Sequence, residues 1–275
     1  MTSSPNRPTI GVFDSGFGGL TVLKELVALS PNANYLYFGD TARLPYGSKS
    51  VETVARYAVE AAHFLESRGS ELLVIACNTA TALALDRIIA ASRVPVVGVV
   101  EPGAEQATSA SKNRRVVVIG TDATVSSHAY LRALEKRGVQ AREKACPLFV
   151  PLVEEGWVDH PVTEQVAQIY LKEAFADGFH DADVLVLGCT HYPLIKPVLR
   201  RVAPAHVKIV DSAHSTANVV AAQIQALPGR EGAQQAKSAT GLCFFATDSV
   251  EKFRRLGPKF LGHSVDVVEH VDLKE

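Results

Sequence analysis

No apolar run in this sequence approaches the roughly 18 residues that cross a bilayer, so a membrane protein is not expected. The opening stretch, residues 1–8, has no apolar signal-peptide core and reads as a short frayed tail. Charge of one sign is missing too. The net charge is −1, which argues against a nucleic acid or an anionic membrane surface as partner. Four cysteines, Cys77, Cys146, Cys189 and Cys243, lie 69, 43 and 54 residues apart, too scattered for a structural zinc site. The nine histidines show no His-Glu-x-x-His spacing, and no lysine sits in a recognisable pyridoxal-phosphate motif. The expectation is a cytoplasmic protein with no metal, no organic cofactor and, in a reducing compartment, no disulfides.

What remains is an ordinary globular balance, 47% hydrophobic and 21% charged over 275 residues, enough for two modest domains. Strand-like runs fall at Thr9–Phe13, Tyr35–Phe38, Leu72–Ala76, Val96–Val100, Val116–Ile119, Val184–Leu187 and Val207–Val210. They alternate with helical patterns at Leu20–Leu29, Val51–Arg68, His128–Lys136 and Thr163–Ala176. Ser50 is placed to cap the second of these and Gly69 to stop it. Such alternation predicts an α/β fold of mostly parallel sheets flanked by helices. The polar, small-residue stretch Pro228–Gly241 reads as a surface loop.

The two halves echo each other. Asp14 ends one strand 63 residues before Cys77, and Thr121 follows another 68 residues before Cys189. The order predicts two pseudo-symmetric domains with the active site in the cleft between them. Residues 1–98 plus 212–275 are assigned to the Cys77 side and residues 99–211 to the Cys189 side.

Val-Ile-Ala-Cys77-Asn78-Thr79 and Val-Leu-Gly-Cys189-Thr190-His191 each put a cysteine after a buried-type apolar run. Strand C-terminal ends are where open α/β folds bind ligands. Two thiols on matching strands could face one substrate from opposite sides, as needed to take a proton from one face of a carbon and return it to the other. Helix N-termini at these positions would favour thiolates. Cys146 and Cys243, in apolar settings, read as small buried hydrophobes. Asp14-Ser15-Gly-Phe-Gly-Gly fails the dinucleotide fingerprint at Thr21 and lacks a phosphate-loop lysine. It is either a tight turn or a glycine-lined approach to an anion. Asn78, Thr79 and Thr190 are candidate caps or ligand contacts. His191, Glu154 with Glu155, and the Asp40–Gly47 loop are each open to a bland structural role or to a place in a site.

Together Phe-Asp14-Ser15-Gly-x-Gly-Gly-Leu, Pro45-Tyr46-Gly47, Cys77-Asn78-Thr79-Ala, Gly120-Thr121-x-x-Thr124, Pro-Leu-Val-Glu154-Glu-Gly and Cys189-Thr190-His191-Tyr-Pro resemble the glutamate racemases, in register over residues 9 to 213. The resemblance implies cofactor-independent interconversion of L- and D-glutamate, supplying D-glutamate for bacterial peptidoglycan. It makes Cys77 and Cys189 the two bases, Asp14 and His191 their polar partners and Glu154 an acidic assistant. Ser15, Tyr46, Gly47, Asn78, Thr79, Thr121, Thr124 and Thr190, with Asp14 and His191, become substrate contacts. A homodimer is the assembly expected.

A free thiol titrates near 8.5, far below an amino-acid Cα–H, so stabilisation of the carbanion must come from preorganised donors in a site closed to water. Three alternatives stand beside this reading. One is a racemase of aspartate or another amino acid, or a related decarboxylase, on the same fold, although the His191-Tyr192 and Pro45-Tyr46-Gly47 contexts favour glutamate. A second is a cysteine hydrolase using Cys189 and His191, for which a separation of two residues makes the geometry awkward and leaves Cys77 idle. The third is a non-enzymatic anion-binding module, which would not need two thiols.

Overall fold

The structure, a computed structural model, describes residues 7–227 and 241–273. The terminal tail through residue 6, and all of the loop expected at Pro228–Gly241 except Gly241, lie outside the described residues. The chain runs β1 (Thr9–Asp14), α1 (Leu20–Leu29), β2 (Asn34–Gly39), α2 (Val51–Ser67), β3 (Leu72–Ile75), α3 (Asn78–Ala91), β4 (Val96–Gly98) and α4 (Val100–Ala110). It continues through β5 (Arg115–Gly120), α5 (Asp122–Ser126), α6 (Ala129–Glu135), β6 (Gln140–Ala145), α7 (Phe149–Glu154), α8 (Pro161–Ala174) and β7 (Val184–Gly188). Then follow α9 (Lys196–Val202), β8 (Lys208–Asp211), α10 (Ala213–Ala226), β9 (Leu242–Ala246), α11 (Val250–Leu261) and β10 (Glu269–His270).

Local rules account for several boundaries. Ser50 accepts the Thr53 amide at 3.3 Å to open α2, and Gly69 follows it at φ +88, a conformation costly for any residue with a Cβ. The strand expected at Val96–Val100 stops at Gly98, because Val100 already belongs to the first turn of α4, where Pro102 is tolerated. The helix expected from Thr163 begins two residues earlier, at Pro161, with His160 accepting the Val162 amide.

Among the described residues ten strands form two all-parallel sheets, ordered β10-β9-β2-β1-β3-β4 and β6-β5-β7-β8. The strands that carry the sequence echo are neighbours in each sheet. β1 pairs with β3 through Phe13↔Ile75, and β5 pairs with β7 through Gly120↔Gly188. All four residues of β3 and all five of β7 are buried, as expected of strands covered on both faces by helices. One apolar core joins the sheets, since Val12, Leu20 and Phe253 belong to the same cluster as Ile119, Phe149, Leu187 and Tyr192. Cys146 is buried in that cluster. Cys243, near the start of β9, is exposed instead, while Phe244, Phe245 and Ala246 after it are buried. Among the described residues no helix is long and apolar enough to cross a membrane.

Candidate active site

The Cys77 side is built where β3 and β1 end side by side. Cys77 caps α3, its Sγ accepting the Ala80 amide at 3.4 Å, and its thiol donates to Ser15 Oγ at 3.5 Å. Asp14, the last residue of β1, is fully buried and accepts the Gly16 amide at 2.9 Å and the Thr190 hydroxyl at 3.5 Å. Burial raises its pKa, against the pull of His191. Burial first, and the Asp14 charge second, push Cys77 up to about 12. The thiolate expected from a helix N-terminus is therefore not the outcome at Cys77. Desolvation beside a carboxylate outweighs the helix dipole.

The Cys189 side is differently equipped. After β7 the chain folds straight back, with the Tyr192 amide donating to Cys189 O at 3.2 Å, so both Cys189 and His191 face one cavity. Cys189 Sγ lies 4.0 Å from His191 Nδ1, a contact the short spacing had argued against. His191 Nε2 is 3.3 Å from Glu154 Oε1, and Lys252 Nζ donates to Glu154 Oε2 at 2.7 Å. Phe260 meets the His191 ring edge to face, with centroids 5.3 Å apart. Burial would lower the His191 pKa, but Cys189 and Glu154 outweigh it and raise it to about 10. Burial opposes ionisation of Glu154 as well, yet His191 and Lys252 hold its carboxyl below the ordinary range.

The walls close over these groups. Tyr46 and Gly47 sit in a 3-10 turn, with the Tyr46 hydroxyl donating to buried Asp40 at 2.5 Å. A Cβ at Gly47 would meet Thr121 Cβ at 2.8 Å, so only glycine lets the turn approach this closely. The hydroxyls of Thr79, Thr121 and Thr124 lie 2.9 to 3.2 Å apart, tying α3 to the start of α5. Asn78 Oδ1 accepts the buried Tyr130 hydroxyl at 2.7 Å.

The cavity is about 360 Å³, within the usual range for a small-molecule site. Both cysteines, His191, Glu154, Ser15, Tyr46, Gly47, Asn78, Thr79, Thr121 and Thr190 line it. Asp14 and Thr124 lie behind the wall and reach it through Thr190 and through Thr79 and Thr121. Tyr46, the tyrosine expected at the substrate, reaches the cavity, whereas Tyr192 of the neighbouring motif is buried in the core and donates to Cys146 O. Leu44, Asp122, Pro147, Val150 and Pro151 also line it. No lysine or arginine does among the described residues. An anion would be met by hydroxyls, amides and the N-terminus of α3.

A family model for Asp/Glu/Hydantoin racemases matches residues 10–220. The chain is 62% identical to the glutamate racemase of Koribacter versatilis over 98% of this chain and 99% of that one. Against the Geobacter metallireducens glutamate racemase it is 47% identical, over 96% and 97%. This chain belongs to the glutamate racemase family. The solved glutamate racemase of Francisella tularensis, in complex with D-glutamate, superposes with a TM-score of 0.88 at 36% identity, covering 98% of each chain.

The family match ends at residue 220, before α11, which nevertheless brings Lys252 and Phe260 onto the Glu154–His191 pair. Neither residue carries a local motif. The sequence signal that could have exposed the helix is the apolar spacing of Phe253, Leu256 and Phe260, all buried in α11.

Proposed function

We propose that this chain interconverts L- and D-glutamate without a cofactor, Cys77 and Cys189 working on opposite faces of Cα. The observation that carries the reading is that two thiols, at matching strand ends of two sheets, line one cavity with different partners. An imidazolium at His191 supplies the counter-charge that a thiolate at Cys189 needs, while burial beside Asp14 keeps Cys77 protonated. In one direction the Cys189 thiolate takes the Cα proton. The electron pair spreads into the α-carboxylate, and the Cys77 S–H delivers its proton to the other face. Product leaves with Cys189 as thiol and Cys77 as thiolate, and the reverse direction starts from that state.

The neutral donors around the cavity suit a substrate with two carboxylates. They stabilise the carbanion without a rearrangement at the moment of reaction. Glutamate, rather than another amino acid, is supported by 62% identity to a curated glutamate racemase and by the likeness to a structure holding D-glutamate. The D-glutamate formed would serve peptidoglycan synthesis in the cytoplasm.

The Cys189–His191 contact favours one second reading, a cysteine hydrolase. The same experiment separates the two. Purified protein is given L- or D-glutamate and followed by optical rotation, and in parallel is given L-glutamine, whose side-chain amide a cysteine hydrolase could cleave, with ammonia assayed. Cys77→Ala and Cys189→Ala should each abolish racemisation in both directions. Full turnover by either variant would sink the two-base reading, and ammonia release dependent on Cys189 alone would favour the hydrolase.

A further inference from the structure

We infer that Lys252 is a positioning residue for the Cys189 half of the site, acting through Glu154 to aim His191 at the thiol. The inference rests on the two-thiol reading and deepens it. The geometry is a chain of four groups: Lys252 Nζ to Glu154 Oε2 at 2.7 Å, Glu154 Oε1 to His191 Nε2 at 3.3 Å, and His191 Nδ1 to Cys189 Sγ at 4.0 Å. Each carboxylate oxygen takes one donor, so Lys252 commits one oxygen and leaves the other for His191. A lysine ammonium can only donate and an ionised carboxylate can only accept, which makes Lys252 Nζ and His191 Nε2 the donors to Glu154.

Lys252 reaches Glu154 from outside the cavity. It lies on α11, whose Phe253 packs edge to face on Phe17 and Tyr37 of the first-sheet side. Glu154 ends α7, the first of the two helices between β6 and β7 of the second sheet. The ion pair therefore joins the two sheets beside the cavity. Glu154 is largely buried, with 12% of its side chain exposed, so the pair is screened less than one on the open surface. Lys252 Nζ lies 5.5 Å from the centre of the Phe17 ring, a second contact that limits where its head can go.

Without the ammonium, Glu154 would lose one of its two cationic neighbours in a half-dry setting and could take up a proton or turn away. Either change removes the counter-charge that keeps His191 against Cys189. Among the described residues the Cys77 half has no such chain, since its thiol is held by Ser15 and the Ala80 amide beside Asp14.

The test uses Lys252→Met, Lys252→Arg, Glu154→Gln and the Glu154→Gln/Lys252→Met double variant, with iodoacetamide alkylation of each cysteine followed by peptide mass spectrometry. Cys189 and Cys77 are similarly enclosed, at 6% and 5% exposure, so a change confined to one reports its thiolate character rather than its access. Lys252→Met should slow alkylation of Cys189 about 10-fold and leave Cys77 unchanged. It should also lower kcat by roughly 10- to 100-fold with KM within a factor of about 3, because Lys252 does not line the cavity. Lys252→Arg should restore most of both losses. In the Glu154→Gln background, Lys252→Met should add no more than about 2-fold.

Unchanged Cys189 labelling in Lys252→Met would overturn the inference. So would slowing of both cysteines together, a loss confined to KM, losses that multiply in the double variant, or failure of arginine to restore either readout. Should Lys252→Met not fold, Lys252→Arg set against Glu154→Gln carries the same comparison. The labelling is independent of turnover, so a chain that fails to racemise glutamate yet keeps this labelling pattern refutes the proposed function and not the role of Lys252.

Discussion

Replacing Gly18 with alanine adds a single methyl group where two parts of the site meet. A Cβ there would lie 2.2 Å from Thr190 Oγ1, 2.6 Å from His191 Nδ1 and 2.8 Å from His191 Cε1. Gly18 does not sit at positive φ, so its backbone suits alanine and the whole cost is contact. Neither neighbour can swing clear easily, since Thr190 is tied to Asp14 and the His191 ring is held by Glu154 and Phe260. Relief to ordinary van der Waals separation requires a retreat of roughly 1 Å, which overpacking of this kind makes worth about 1–3 kcal/mol of stability. The same retreat would displace the Nδ1 that stands 4.0 Å from Cys189 Sγ. A displacement of about 1 Å in a catalytic group costs on the order of 100-fold in rate. Circular dichroism of glutamate in both directions, together with a thermal melt, reads both effects. Wild-type kcat with an unchanged melting temperature would show that Gly18 does not set the spacing between the two halves of the site.

Two further outcomes follow from single contacts. Tyr46→Phe removes the donor that satisfies fully buried Asp40, leaving Arg43 and Thr247 as its remaining side-chain partners, and should cost about 1–3 kcal/mol in urea unfolding. An unchanged midpoint would mean that those two groups suffice. His191 holds its proton more tightly folded, to about 10, than the roughly 6.5 of an unfolded imidazole. Between these values the folded chain binds more protons than the unfolded one, so the stability this group contributes is complete below pH ~6.5 and is lost as pH rises toward 10. His191→Gln should flatten that decline in urea midpoints taken across the window, and parallel slopes for variant and parent would contradict it.

The central strands were legible because buried parallel strands are written as apolar runs, as in Leu72–Ile75 and Val184–Gly188. Both cysteines and most cavity residues sit in short motifs at the ends of those runs, so their convergence could be foreseen. β6 could not be, because Gln-Ala-Arg-Glu-Lys-Ala is an edge strand without an apolar run. The exposure of Cys243 was hidden because it lies beside Phe244 and Phe245, both buried, in a stretch that reads as apolar throughout. The contact between Cys189 and His191 depends on a chain reversal that spacing alone argued against. At Cys77 a correct local rule, that helix N-termini favour thiolates, gave way to burial beside Asp14. Lys252 lies 98 residues from Glu154, and no local pattern joins them.

The central claim, two thiols acting from opposite faces, is tested most directly by the position of deuterium at Cα when the reaction runs in D₂O from each pure enantiomer and is stopped early. A base on one face and an acid on the other predict deuterium in the product and protium in the recovered substrate, in both directions. Deuterium in recovered substrate at the same rate as in product would mean that one group serves both faces, and would contradict the account.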